Sequence, residues 1–312
     1  MDNIVIDLLK RTTAMPSMPQ VAVRFLEIVQ QPDFDFHEVV EIFSTDPGST
    51  SDILRLANSP LFGVTRQITS LQHALILLGL KRVRSLVLGR YIVDSIDRKN
   101  VAGLDTAYYW RRSINTAILS ARLAEFLDNR HRDEAFIAGL LADMGIVILA
   151  EVLHEKYHPI LERYRPGGPT NLATMEMEQI GIHHGQASAL VLEHWQLPEI
   201  VCEAVRWHPW DIQENQAPLL AQLVGAADRI AQHLCEKPEN LDTITMDCVS
   251  IMAELNLEPS VLAQALADSQ EHIRELAALL RVEIIDSGIY NLIADRLRNT
   301  LIEAGAQAPS PA

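Results

Sequence analysis

The chain has 312 residues, 48% of them hydrophobic, which suffices for a large buried core and more than one structural unit and excludes general disorder. With 41 acidic against 26 basic residues, its formal charge of -15 repels polyanions and argues against nucleic acid as a general partner. Cys202, Cys235 and Cys248 form no close pair and no C-x-x-C, so neither a disulfide framework nor a zinc knuckle is indicated, and they read as reduced cytosolic thiols.

The start, MDNIVIDLLKRTT, has acids before a short apolar run and no cleavage site, so a cytoplasmic chain without export is expected. Apolar residues then recur at helical spacing almost throughout, with no sustained period-two alternation, which predicts an all-α fold. Thr45-Asp46-Pro47 offers an N-cap with proline at the first helical position, and Asn58-Ser59-Pro60 closes the helix, which should span 47–57 with Asp46 as its cap. Ser70 caps a helix through Leu78, Gly79 suits a left-handed end, and a second helix follows from Lys81 towards Ile96. Such a pair resembles a helix-turn-helix, and Lys81, Arg82, Arg84 and Arg90 give it a basic cluster. The acidic total and the run Leu75-Ile76-Leu77-Leu78, which asks for burial rather than a groove, favour a solvated face instead.

The most apolar stretch, Ala135 to Leu153, is interrupted by Asp143 and Glu151, acids that are costly in lipid, so it is expected to be a buried core helix and no membrane partner is expected. Pro166, Gly167, Gly168 and Pro169 mark an exposed loop between Arg163 and Asn171. Beyond about Glu236, Leu- and Ala-rich helices with acidic faces lead to a polar, frayed tail. The expected organisation is an N-terminal helical bundle over 1–100, a helical core over 101–235 and a C-terminal helical extension over 236–312.

Asp143, His184, His208 and Asp228 fall on expected helices or their ends, and carboxylate with neutral imidazole suits a divalent metal drawn from several helices. Each also has a plainer reading: an ion pair for Asp143, a helix end for His208, an arginine partner for Asp228. Because His183 and His184 are adjacent, at most one of them should face a common site.

These segments resemble the HDOD family, which is related to the HD-domain metal phosphohydrolases. The resemblance covers roughly residues 13 to 235, through MPSMP, TDPGSTSDILRLANSPLFG and ITSLQHALILLGLKRV, then YWRRSINTA, AFIAGLLADMGIVIL, IGIHHGQASALVLEHWQLP, WHP and AADRIA. In the catalytic HD pattern a histidine precedes the serine of the Trp-x-x-Ser segment, where this chain has Arg112. The His-Asp pair falls on Ala142-Asp143, so a second histidine is missing, while His184, His208 and Asp228 fall near later positions of the wider family. Arginine has no lone pair to offer, so the resemblance implies a degenerate site with no metal and no cofactor. It also implies that Arg112 fills the vacated position, paired with Asp143 and reaching towards Asp228, the alternative being an arginine in solvent beside Arg111.

The functional expectation is a non-catalytic regulatory scaffold acting on other signalling proteins, with its oligomeric state open. The alternatives are a metal-dependent phosphohydrolase using Asp143, His184, His208 and Asp228, and a DNA-binding regulator using the helix of Lys81 to Arg90.

Overall fold

The computed structural model describes residues 20–29, 33–58, 67–80, 83, 104–164, 170–209, 217–236, 241–280, 282–283 and 288–306, and among them every regular element is helical. The helix expected from Lys81 to Ile96, its basic cluster and the MPSMP segment lie outside the described residues, apart from a helical, buried Val83.

The N-terminal part contains α1 (Gln20–Val29), α2 (Phe36–Ser44), α3 (Pro47–Ala57) and α4 (Leu71–Leu78). The cap expected of Asp46 is present, since the Gly48 N–H donates to its Oδ1 at 3.2 Å and the Ser49 hydroxyl reaches its Oδ2. Asn58 closes α3 by donating to Leu54 O at 2.7 Å, and it also accepts the Ile68 N–H at 2.7 Å, tying α3 to the approach of α4. Phe25 and Phe43, with ring centroids 5.1 Å apart, centre this bundle on Ile53 and Leu75.

Two expectations for this N-terminal part need correction. Gly79 has positive φ (73°) but ψ of 152°, an extended glycine conformation rather than the left-handed helical one. In the run Leu75-Ile76-Leu77-Leu78, only Leu75 and Leu78 are buried, while Ile76 is 61% and Leu77 38% exposed, because a three-residue interval returns to the same helix face and the two between it do not.

The second half is built on α5 (Thr106–Leu127), whose N-cap Asp105 accepts the Tyr108 N–H at 2.9 Å. It is buried along most of its length beneath α6 (Arg132–Leu141), α12 (Leu219–Glu236) and α14 (Pro259–Leu280). The stretch of 129–152 is apolar and long enough to cross a membrane, but 83% of the 18-residue apolar segment within it is buried in the fold. It forms two helices rather than the one expected. α6 stops at Leu141, α7 (Met144–Val152) begins at Met144, and Asp143 between them leaves helical geometry with φ -91° and ψ 6°. A carboxylate thus sits where the chain turns, inside the core.

α8 (His154–Arg163) and α9 (Leu172–Ile180) pack together, and α10 (His184–His194) and α11 (Glu199–Trp207) cover α7 and α6 respectively. Near Glu236 the chain passes to α13 (Leu241–Leu255), α14 and α15 (Ile289–Ala306). α14 lies on α5, where Arg122 donates to the His272 Nε2 at 2.9 Å. His272 Nδ1 carries its proton to Asp268 O at 2.6 Å, leaving Nε2 as the acceptor.

Candidate functional site

Six sequence-selected positions come from five separate stretches of chain, and the fold brings five of their side chains into one buried polar cluster. Arg112 lies two turns into α5, Asp143 at the α6–α7 turn, His184 at the start of α10, His208 at the end of α11 and Asp228 in mid-α12. Asp143, His184 and His208 are each 3% exposed or less. Ala142 contributes its carbonyl, which accepts the Ser188 hydroxyl at 2.7 Å.

The Arg112 guanidinium forks onto Asp228, Nε to Oδ1 at 2.8 Å and Nη2 to Oδ2 at 2.6 Å. Thr116, one helical turn further along α5, adds its hydroxyl to Asp228 Oδ1 at 3.3 Å, so both oxygens of Asp228 are engaged. Asp143 takes the edge of the same guanidinium, its Oδ2 lying 3.1 Å from Nε. Arg112 is therefore internal and not in solvent, with Asp228 as the forked partner and Asp143 as the second. Burial opposes charge on Arg112 and on Asp143. Asp143 and Asp228 nevertheless hold the arginine well above its ordinary pKa, and Arg112 with the two imidazoles holds Asp143 below the usual carboxylate range.

The other oxygen of Asp143 faces the two histidines. Its Oδ1 is 3.5 Å from His184 Nε2 and 3.6 Å from His208 Nε2, and none of these three buried atoms has a hydrogen-bond partner. Both rings are tethered at the far nitrogen. His208 Nδ1 lies 2.7 Å from Val205 O, which can only accept, so that nitrogen carries the proton. His184 Nδ1 lies 2.7 Å from Glu176 Oε2, which also accepts the His184 main-chain N–H at 2.7 Å. The neutral form of each ring then presents an Nε2 lone pair to Asp143. Burial disfavours the His184 imidazolium, but Glu176 and Asp143 outweigh it and raise its pKa.

Glu176, in α9, was missed in the sequence reading. It is fully buried and also accepts the Tyr157 hydroxyl, while burial and Glu176 itself push that phenol well above its ordinary pKa and keep it a donor. A signal existed in the requirement that a buried imidazole find a partner for its second nitrogen, although nothing in the spacing singled out Glu176 from Glu178. Gly181, with φ 76° and ψ 10°, turns the chain from α9 into His183 and His184. His183 points away, as adjacency requires. Its Nδ1 accepts the Gln186 N–H at 3.3 Å and caps α10, and burial, with His184 next, pushes its pKa down to about 2.

Close backbone contact sets the position of the histidines. A Cβ on Gly145 would lie 2.0 Å from His184 O, and one on Gly225 2.5 Å from His208 O, so only glycine lets α7 and α12 approach. Ser188 fastens the turn that holds Asp143 by accepting the Gly145 N–H at 2.6 Å.

The ligand set that the HD pattern implies does not fit a metal here. Arg112 and Ala142 offer no ligand, and Asp228 is saturated by Arg112 and Thr116. Of the implied set only three members converge, one ligand atom from each of Asp143, His184 and His208 lying within 4.8 Å of the others.

Residues 15–209 match the HDOD domain, and the chain belongs to that family. A Treponema pallidum (strain Nichols) protein described as uncharacterized is 23% identical over 204 residues, covering 64% of this chain but only 38% of its own length. A Shewanella amazonensis SB2B structure, provisionally described as a phosphohydrolase, superposes with a TM-score of 0.68 at 21% identity, covering 86% of this chain and 99% of that one. A Marinobacter aquaeolei VT8 structure, provisionally described as a signal transduction protein, gives 0.63 at 19% identity over 90% of this chain and 65% of that one. At these identities the structures establish a shared fold.

Proposed function

We propose that this HDOD chain is a cytoplasmic, non-catalytic regulatory module that acts through contacts with other signalling proteins. The observation that carries the reading is the Arg112 fork. Metal-assisted hydrolysis needs a cation with an open coordination position beside the substrate. Here a guanidinium with no lone pair holds Asp228, and the side chains of Asp143, His184 and His208 are 3%, 3% and 0% exposed, which leaves a phosphate ester no surface to approach.

In this reading residues 1–100 form the N-terminal bundle, 101–235 the HD-like core and 236–312 the C-terminal extension, with α14 on α5 coupling the extension to the core. Apolar side chains such as Ile76 at 61% and Met246 at 74% exposure are places that protein contacts would cover, and the charge of -15 supports partners other than nucleic acid or anionic membrane.

The test is a hydrolysis assay on the purified chain with a generic phosphomonoester and a phosphodiester, in the presence of manganese, ferrous iron, zinc or magnesium. Phosphate release at the blank rate is expected. Metal-dependent release that disappears in Asp143→Asn would establish the phosphohydrolase alternative instead.

A further inference from the structure

We propose that the outer face of α8 binds one divalent transition-metal cation through His154 and His158, with Glu162 as the third ligand. This surface site shares no residue with the buried cluster, and its existence does not depend on how the regulatory reading fares.

Three features argue for it together. The first is spacing. α8 opens with His154-Glu155-Lys156-Tyr157-His158, the H-E-x-x-H order in which a single helix presents two histidines to a zinc ion. Residues four apart stand one above the other on a helix face, and Glu162 continues the same row by one more turn. The fold turns this row outward. Tyr157 and Ile160 take the buried side of α8, while His154 and Glu162 are exposed and His158 is half-buried.

The second feature is geometry. The rings of His154 and His158 stack with centroids 5.8 Å apart and planes 24° from parallel. His158 Nε2 lies 3.4 Å from Glu162 Oε1. Two ligands held about 2.1 Å from a tetrahedral ion are about 3.4 Å apart, so this imidazole and this carboxylate already have the spacing of neighbours in one coordination shell. His158 Nδ1 is buried without a hydrogen-bond partner, which leaves Nε2 as the nitrogen that meets the surface. His154, exposed at the first position of α8, can swing its ring onto the same point. Two imidazoles with one carboxylate suit zinc, cobalt, nickel or copper better than calcium or magnesium.

The third feature is the setting of the row. At about 100° per residue Glu155 flanks it, whereas Lys156 and Arg163, the cations of α8, fall on the opposite side of the helix. These carboxylates and the overall charge of -15 favour a cation and offset the N-terminal helix dipole, which opposes one. Pro159 has no N–H to donate to Glu155 O, so the turn between His154 and His158 is held by one helical bond fewer, and a metal clamp across it would stiffen α8. Tyr157 stands in that turn and donates its hydroxyl to Glu176, so the clamp would act on the partner of His184 from outside. The competing arrangement is a metal-free ion pair of a His158 imidazolium with Glu162.

The experiment uses the full chain without an affinity tag, stripped with chelator, then titrated with zinc by calorimetry and with copper(II) by NMR. The double substitution His154→Gln, His158→Gln should remove one equivalent of bound zinc, with circular dichroism confirming that the variant folds. Either substitution alone should weaken binding at this site by about 100-fold, within the range by which joining two weak ligands raises affinity. Glu162→Gln should weaken it less, and His194→Gln, at the exposed end of α10, should bind as the parent does. Copper(II) should broaden the ring signals of His154 and His158 before that of His194. Equal zinc stoichiometry in the parent and the double variant would overturn the proposal in favour of the metal-free ion pair, and broadening that falls first on other histidines would overturn it in favour of another site.

Discussion

Asp228 and Arg229 are neighbours on α12, yet they belong to two charge networks that differ in almost every physical respect. Asp228 faces inward, is 7% exposed, and meets Arg112 and Thr116 among buried groups. Arg229 faces the C-terminal extension with its side chain 34% exposed, pairing with Glu254 at 2.7 Å and Asp247 at 3.5 Å, while His233, one turn on, reaches Asp247 at 2.5 Å. Both networks join distant segments. The inner one is desolvated throughout, so each member depends on the others, whereas in the outer one water and salt reach Arg229 and Asp247 although the Glu254 side chain is only 5% exposed. Ion pairs of similar length therefore carry very different weight within one helical turn.

The largest effect should come from Arg112→Ala, which strands Asp143 and Asp228 together and should lower unfolding stability by about 3 to 5 kcal/mol in a denaturant titration. A loss below about 1 kcal/mol would mean that water already reaches the inner network and would erase the contrast with the outer one. Next is Gly145→Ala, whose added methyl would press on His184 O and should cost about 1 to 3 kcal/mol or more by forcing α7 away from α10. A neutral result would show that the inner cluster can loosen, and its tight geometry would lose its meaning.

Asp46→Ala supplies an intermediate scale, since it removes a solvent-side cap without touching either network. About 0.5 to 2 kcal/mol is expected from the denaturation midpoint. An unchanged midpoint would count against the cap seen at Gly48 and Ser49.

The smallest effect belongs to the outer network. Arg229→Ala should cost less than about 1 kcal/mol, and the difference should shrink at high salt. Burial raises the Asp247 pKa, but its hydrogen bond to His233 and the charge of Arg229 outweigh this and leave it depressed. A depressed carboxyl contributes stability that is present above its unfolded value of about 3.9 and lost as pH falls through its lower folded value. Asp247→Asn should therefore flatten the acid limb of the stability curve slightly. An effect as large as that of Arg112→Ala would show that the outer network is sealed from solvent as well.

How much of this was legible in the sequence depended on the range of the interaction. The bounds of α3, its Asp46 cap and the Ser70 start of α4 follow from contacts within four residues, and the sequence states them openly. The exposure of Ile76 and Leu77 did not follow from their apolarity, because hydrophobicity says that a residue can be buried but not which face of the helix meets the core. The break at Asp143 was hidden in an apolar run that reads as one helix until α10 packs on it and Ser188 binds both sides of the turn.

For the candidate site, the family resemblance and the chemistry of arginine singled out Arg112, Ala142, Asp143, His184, His208 and Asp228, and sequence adjacency required that His183 and His184 diverge. Tertiary structure decided everything that depends on pairing across long separations. It made Asp228 the forked partner and Asp143 the edge partner, brought in Glu176 behind His184, and left three buried ligand atoms facing one another. The reason is physical: composition and spacing fix which groups can ionise and which face of a helix they occupy, while desolvation and partner choice exist only once α5, α7, α9, α10, α11 and α12 have packed together around these side chains.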